Sequence, residues 1–137
     1  MKKLLVDSDF LVALYKVDDF NHKKAKMVFK KLEKDIKLVA INLVFQESAT
    51  VVSKKMGMND AKQFLDGLTK LITEKIDLDQ SLQIEGWKIF MKQNKKGTSF
   101  IDCANLTAAI SYKFDGILSF DKFYPKNLTK VLSEQHT

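Results

Sequence analysis

Short unbroken apolar runs alternate along this chain with longer stretches in which apolar residues recur at helical spacing. Lys3–Asp7 reads Lys-Leu-Leu-Val-Asp, a short buried strand that ends in an acid. A brief helix from about Phe10 to Lys16 follows. Ala25, Val28, Phe29 and Leu32 then stand at i, i+3, i+4 and i+7, with Lys23, Lys24, Lys26, Lys30 and Lys31 on the other faces, which predicts an amphipathic helix. Leu38–Ile41 suits a second strand, and Asn42 is placed to cap a helix from about Leu43 to Lys55. Met56-Gly57-Met58 reads as a stop and turn. The next helix carries Ala61, Phe64, Leu65, Leu68, Leu71 and Ile72 on one face.

Ile76–Leu78 is a further strand candidate, and a helix from about Gln80 to Gln93 puts Ile84, Trp87 and Met91 along one stripe. From Ile101 to Phe114 the helix is apolar nearly all round, as expected in the middle of a domain. Ile117–Phe120 forms a strand after the turn at Asp115-Gly116, and Leu128–Leu132 reads as a short edge strand. Strands separated by helices, with no hairpin turns, imply a parallel sheet covered on both faces. The expected fold class is therefore α/β, a three-layer α/β/α sandwich with a mostly parallel central sheet.

The length of 137 residues supports one domain, 1–137, and there is no repeat or low-complexity linker. The first apolar run is too short for a signal peptide, and no stretch approaches the roughly 18 apolar residues of a spanning helix. The expectation is a soluble, cytoplasmic protein with no membrane partner. A lone cysteine, Cys103, excludes an internal disulfide framework and a zinc ribbon; in its apolar helix it reads as a packed thiol. His22 and His136 read as solvent-exposed, and Trp87 and the phenylalanines as core. All 23 basic residues are lysine, against 17 acids, for a net charge of +6. The chain therefore has no arginine fork for a carboxylate or a guanine, although lysine still holds phosphate as a point charge.

The acids change the picture. In an open parallel sheet, ligands gather outside the carboxyl ends of the strands. Asp7 closes the first strand there, and Asp121 follows the apolar run Ile117–Phe120. Glu47 lies between Val44 and Val51 on an inward stripe, and Asp102 lies in the first turn of the buried helix. Each has a local explanation. Asp7 can cap a helix, Ser99-Phe-Ile-Asp102 fits a capping box, Asp121 can start a turn, and Glu47 can pair with a lysine. Four such acids in otherwise apolar segments point instead to convergence. Two carboxylates about 5 Å apart repel by roughly 3 kcal/mol at an effective dielectric near 20, so a converged set must stay partly protonated or hold a cation. Oxygen-only ligands select Mg²⁺ or Mn²⁺, whose chemistry with water and phosphoryl groups, beside surface lysines, suggests hydrolysis of a nucleic acid.

At these residues the sequence resembles the PIN domain family. Leu4-Leu-Val-Asp7-Ser-Asp9-Phe-Leu-Val-Ala-Leu14 is similar to its opening, Phe45-Gln-Glu47-Ser-Ala-Thr to its helical glutamate motif, Ser99-Phe-Ile-Asp102-Cys-Ala-Asn105 to its central-helix motif, and Ile117-Leu-Ser-Phe-Asp121 to its last strand and acid. After that acid the family commonly has another acid and then Phe; here Lys122-Phe123-Tyr124 follows. The resemblance implies a Mg²⁺- or Mn²⁺-dependent ribonuclease, most like the small VapC-type toxins of toxin–antitoxin pairs, which are usually dimeric and silenced by a small antitoxin. It implies Asp7, Glu47, Asp102 and Asp121 as the metal-binding acids, Ser8 as a hydroxyl beside Asp7, and 5′-phosphate and 3′-hydroxyl products. Asn105, at i+3 from Asp102, is a candidate to orient a water or a phosphate.

Two alternatives remain at this level. Asp7-Ser-Asp9 also opens haloacid-dehalogenase-like phosphatases, where the first Asp is a nucleophile, although Leu11 departs from that pattern. A non-catalytic RNA-binding or scaffold module could share the fold. Setting the four acids aside leaves 13 of the 17 against 23 lysines, so the remaining surface carries an excess of about +10 around the pocket.

Overall fold

The computed structural model describes residues 2–130. Four strands, β1 (Lys3–Val6), β2 (Lys37–Ile41), β3 (Glu74–Ile76) and β4 (Gly116–Leu118), form one sheet in the order β3-β2-β1-β4. Every pairing is parallel, with Leu5 opposite Val39 on one side and Ile117 on the other. Leu4, Leu5 and Val6, Leu38 to Ile41, and Ile117 and Leu118 are all buried, because helices cover both faces of the sheet.

The helices fall into two packed groups. One joins α1 (Ser8–Tyr15), α2 (His22–Lys31), α3 (Asn42–Met56) and α4 (Met58–Leu71); the other joins α5 (Gln80–Met91) and α6 (Phe100–Ser111). Gly57 lies between α3 and α4 at φ +95°, a left-handed conformation that glycine adopts without steric penalty, so the predicted stop and turn is where the chain reverses. Gly86 serves close approach: a Cβ there would sit 3.2 Å from the Phe100 ring, where α5 meets α6. Among the described residues, no helix is long and apolar enough to cross a membrane.

The strand order places a topological switch point between β1 and β4. From β1 the chain moves outward through β2 to β3, then crosses back to add β4 on the other side of β1. Loops leaving β1 and β4 therefore diverge, opening a crevice at their carboxyl ends. The ladder runs one step further, as the Asp7 N–H donates to the Leu118 carbonyl at 3.0 Å.

Several local expectations need correction. Residues 126–130 are helical, so the predicted edge strand from Leu128 does not form there, and its last two positions lie outside the described residues. Pro125 sits at the entry to that turn, and its carbonyl accepts from the Leu128 N–H at 3.0 Å, favouring a helical start. Asn42 does not cap α3; its Oδ1 accepts from the Leu78 N–H at 3.0 Å and fastens the loop after β3. The third strand ends at Ile76 rather than beginning there. Ile84, Trp87 and Met91 face outward, with Trp87 48% exposed and packed on Phe100 (centroids 4.0 Å apart), while Leu82 and Gly86 make the buried face of α5. Phe20, Ile110 and Tyr112 are exposed too. His22 is only half-exposed, with Nδ1 2.7 Å from the Ala13 carbonyl oxygen, and His136 lies outside the described residues.

Candidate active site

Asp7 is the hub of the crevice. It is 4% exposed, and its carboxylate accepts four hydrogen bonds, about its full capacity. Oδ1 takes the Ser8 N–H (2.8 Å) and the Asn105 amide (3.1 Å); Oδ2 takes the Ser119 hydroxyl (2.9 Å) and lies 3.0 Å from the Tyr124 hydroxyl. Asp7 is therefore the cap of α1 as well as a site residue, and the two readings of it coexist. Burial, followed by the charge of Glu47, pushes its pKa above the ordinary carboxylate range, while the Ser119, Ser8 and Tyr124 hydrogen bonds pull it down.

Asp102 enters from the first turn of α6. The capping box is only half realised: Ser99 Oγ accepts from the Ile101 N–H at 2.9 Å, but the Asp102 carboxylate turns toward Tyr124, whose hydroxyl lies 3.3 Å from its Oδ1. Partial burial raises the Asp102 pKa to about 7, assisted by the charges of Asp7 and Asp121 and by a hydrogen bond with Asp121. Asp121 also starts a turn, with Oδ1 accepting from the Phe123 N–H at 2.9 Å. Glu47 reaches the same space from α3, half-buried. The four acids share one cavity of about 400 Å³ with Ser8 and Lys55.

Three residues of this cluster were not anticipated: Asp9, Tyr124 and Asp19, which also lines the cavity. Asp9 lines the cavity, and its Oδ2 accepts from the Phe120 N–H (3.0 Å) and the Ser119 hydroxyl (3.3 Å), binding the loop after β4 to α1. Desolvation and the charge of Asp7 push its pKa up to about 7. The sequence carried a signal for it, the spacing Asp7-Ser-Asp9. Tyr124, 3% exposed, donates its one hydroxyl proton between Asp7 and Asp102 and accepts from the Asn105 amide at 3.1 Å. Its own pKa is driven far up by burial and then by those two acids. The only hint of it was the unusual Lys122-Phe123-Tyr124 after the last acid.

Asn105 is fully buried behind Asp7 and does not line the cavity, so its amide positions that carboxylate rather than a phosphate. Cys103 is a buried free thiol whose pKa is raised by desolvation and by Asp102, the opposite of an activated nucleophile.

The donors fit a hard divalent cation. All are oxygens, and no lysine among the described residues lies within ion-pairing distance of Asp7, Asp102 or Asp121; pairs such as Lys70–Asp66 and Lys88–Glu85 lie elsewhere. Ser8 Oγ and Asp9 Oδ1 are buried beside the cavity without any hydrogen-bond partner. Among the described residues, however, no three acidic, histidine or cysteine side chains stand close enough together to hold a metal ion as they are.

A parallel α/β/α sandwich with an acidic crevice at its switch point defines the class. A family model described as PIN domain matches residues 4–126, and the chain belongs to that family. Among solved structures, it is similar to VapC20 of Mycobacterium tuberculosis, a sarcin–ricin-loop-cleaving toxin, with 18% identity over 88% of this chain and 91% of that one and a TM-score of 0.78. It is also similar to VapBC2 of Rickettsia felis bound to a DNA fragment from their promoter, with 15% identity over 87% and 88% and a TM-score of 0.67. No curated protein matches by sequence. Family membership sets aside the haloacid-dehalogenase-like alternative.

Proposed function

We propose that the protein is a Mg²⁺- or Mn²⁺-dependent endoribonuclease and the toxin of a toxin–antitoxin pair. The observation that carries this reading is the meeting of Asp7, Glu47, Asp102 and Asp121 in one cavity of a PIN fold, where burial and mutual repulsion leave carboxylates without a counter-charge. Asp7, Asp102 and Asp121 would hold the ion, with Glu47 a ligand directly or through water. Bound there, the ion would supply an acidified water and offset charge on the phosphoryl group.

The chain's own residues do the positioning. Ser8 N–H, Asn105 and Ser119 fix Asp7 from the buried side, while Tyr124 has two acceptors and can release Asp7 by turning its proton to Asp102. Lys55, on the cavity wall, offers a positive charge to a phosphate. The products under this reading carry 5′-phosphate and 3′-hydroxyl ends. The likeness in fold to VapC20 and VapBC2 supports the toxin assignment, and with it a small antitoxin partner, a homodimer and a cytoplasmic site of action.

The test is incubation of the purified protein with RNA in Mg²⁺, in Mn²⁺ and in chelator, with end-group analysis of the fragments. Cleavage confined to the metal-containing samples is expected. Cleavage that persists in chelator contradicts the metal requirement, and intact RNA throughout points to the non-catalytic module.

A further inference from the structure

A second cavity of about 580 Å³ adjoins the acidic one at Asp121, which lines both, and is walled also by Ser119 and Tyr124. Its outer wall carries Lys24 from α2, Lys122 from the loop after β4, and Lys126 and Lys130 from the helical segment 126–130. Lys126 and Lys130 are one helical turn apart and share a face. Asp121 is the only acid of its lining among the described residues. Lys24 leans over Phe120, its ammonium 5.9 Å from the ring centroid, and Phe120 is in turn stacked with the Phe10 ring at 5.9 Å.

Four like charges around one groove repel each other, and among the described residues no acid forms an ion pair with any of them. Phosphates spaced along a single strand would relieve that repulsion, and lysine suits them because it binds a phosphate as a mobile point charge without reading a base. The position also matters, since Asp121 lines both cavities and a strand lying in this groove would meet the acidic one there.

We propose that the Lys24, Lys122, Lys126 and Lys130 groove binds the phosphodiester backbone of single-stranded RNA on one side of the scissile bond. The inference rests on the ribonuclease reading and adds to it the track along which the substrate lies. Binding there is sequence-independent and steep in salt. Choice of cleavage position then comes from RNA shape or from contacts elsewhere.

The experiment measures fluorescence anisotropy of a short unstructured RNA in chelator, across a salt series, so that binding is read without cleavage. Lys24→Ala/Lys122→Ala and Lys126→Ala/Lys130→Ala are compared with wild type and with Lys37→Ala/Lys62→Ala, which removes two lysines away from both cavities. Each groove pair should weaken binding about tenfold or more and flatten the log–log salt slope by about 1.4, the value for two phosphate contacts on a single strand. The control pair should change neither, and Lys→Arg versions of the groove pairs should restore binding. Groove variants that bind like the control, while wild type still cuts RNA in Mg²⁺, overturn the groove and leave the ribonuclease reading intact. A wild type that neither binds nor cuts RNA overturns both. Binding of polyglutamate as tightly as RNA would assign the groove to an acidic protein partner and overturn the proposal.

Discussion

Replacing Asp102 with asparagine should make the metal-free protein more stable, not less, at neutral and alkaline pH. The Asp102 carboxyl titrates near 7 in the fold against an ordinary 3.8, because it is partly desolvated and faces Asp7 and Asp121. The folded state therefore holds its proton more tightly than the unfolded chain. Stability linked to this group is complete below about pH 4 and is lost as pH rises through about 7. Left unscreened, a rise of that size corresponds to about 4 kcal/mol. Asp102 is half-exposed, and screening by solvent reduces this to about 1–2 kcal/mol. The carboxamide keeps the shape of the side chain and cannot ionise, so Asp102→Asn should exceed wild type by about 1–2 kcal/mol at pH 8 in chelator, and the gap should shrink to less than half of that by pH 5 and close near pH 4. Saturating Mg²⁺ or Mn²⁺ should reverse the order, since only wild type gains the full benefit of the ion. Urea unfolding followed by circular dichroism at both pH values reads all of this. An Asp102→Asn protein that is less stable than wild type by the same margin at pH 5 and pH 8 would refute the electrostatic reasoning.

Other expectations follow from single contacts. Tyr124→Phe keeps the ring and removes the hydroxyl shared by Asp7 and Asp102, so it should lower stability by about 1–2 kcal/mol in urea. It should also move the pH profile of cleavage upward, because Asp7 loses a hydrogen bond that favours its charged form. Gly86→Ala should cost about 1–3 kcal/mol, since its Cβ meets the Phe100 ring at 3.2 Å and the Ala104 backbone stands close behind; an unchanged urea midpoint would contradict that packing. Acrylamide should quench Trp87 fluorescence readily, as the indole is half-exposed.

The order and type of the elements were legible because strands buried on both faces read as continuous apolar runs, and α2 and α4 read as periodic stripes. The last segment misled because Leu-Thr-Lys-Val-Leu has strand-like composition, whereas Pro125 favours a helical start. The stripe Ile84, Trp87, Met91 misled for a different reason. Periodicity locates an apolar face but not what covers it, and α5 packs on α6 through Leu82 and Gly86, a glycine invisible to a hydrophobicity count. For the site, chain order alone put Asp7 and Asp121 on the same rim, and the structure brings Glu47 and Asp102 into the cavity with them. Asp9 and Tyr124 escaped because their roles depend on contacts across more than a hundred residues, from Asp9 to Phe120 and from Tyr124 to Asp7. Asn105 shares the helical face of Asp102, but only packing shows that its side chain, one turn further along, is buried behind Asp7.

The central claim is that this acidic crevice cuts RNA. Its most direct test is the cleavage rate of a 5′-labelled RNA in saturating Mg²⁺ by wild type, Asp7→Asn and Asp121→Asn, each first confirmed as folded by circular dichroism. Rapid cleavage by wild type is predicted, with a loss of at least about a hundredfold in each variant, as expected when an ionised group essential to metal-assisted hydrolysis is neutralised. Cleavage by folded Asp7→Asn and Asp121→Asn at the wild-type rate would contradict it.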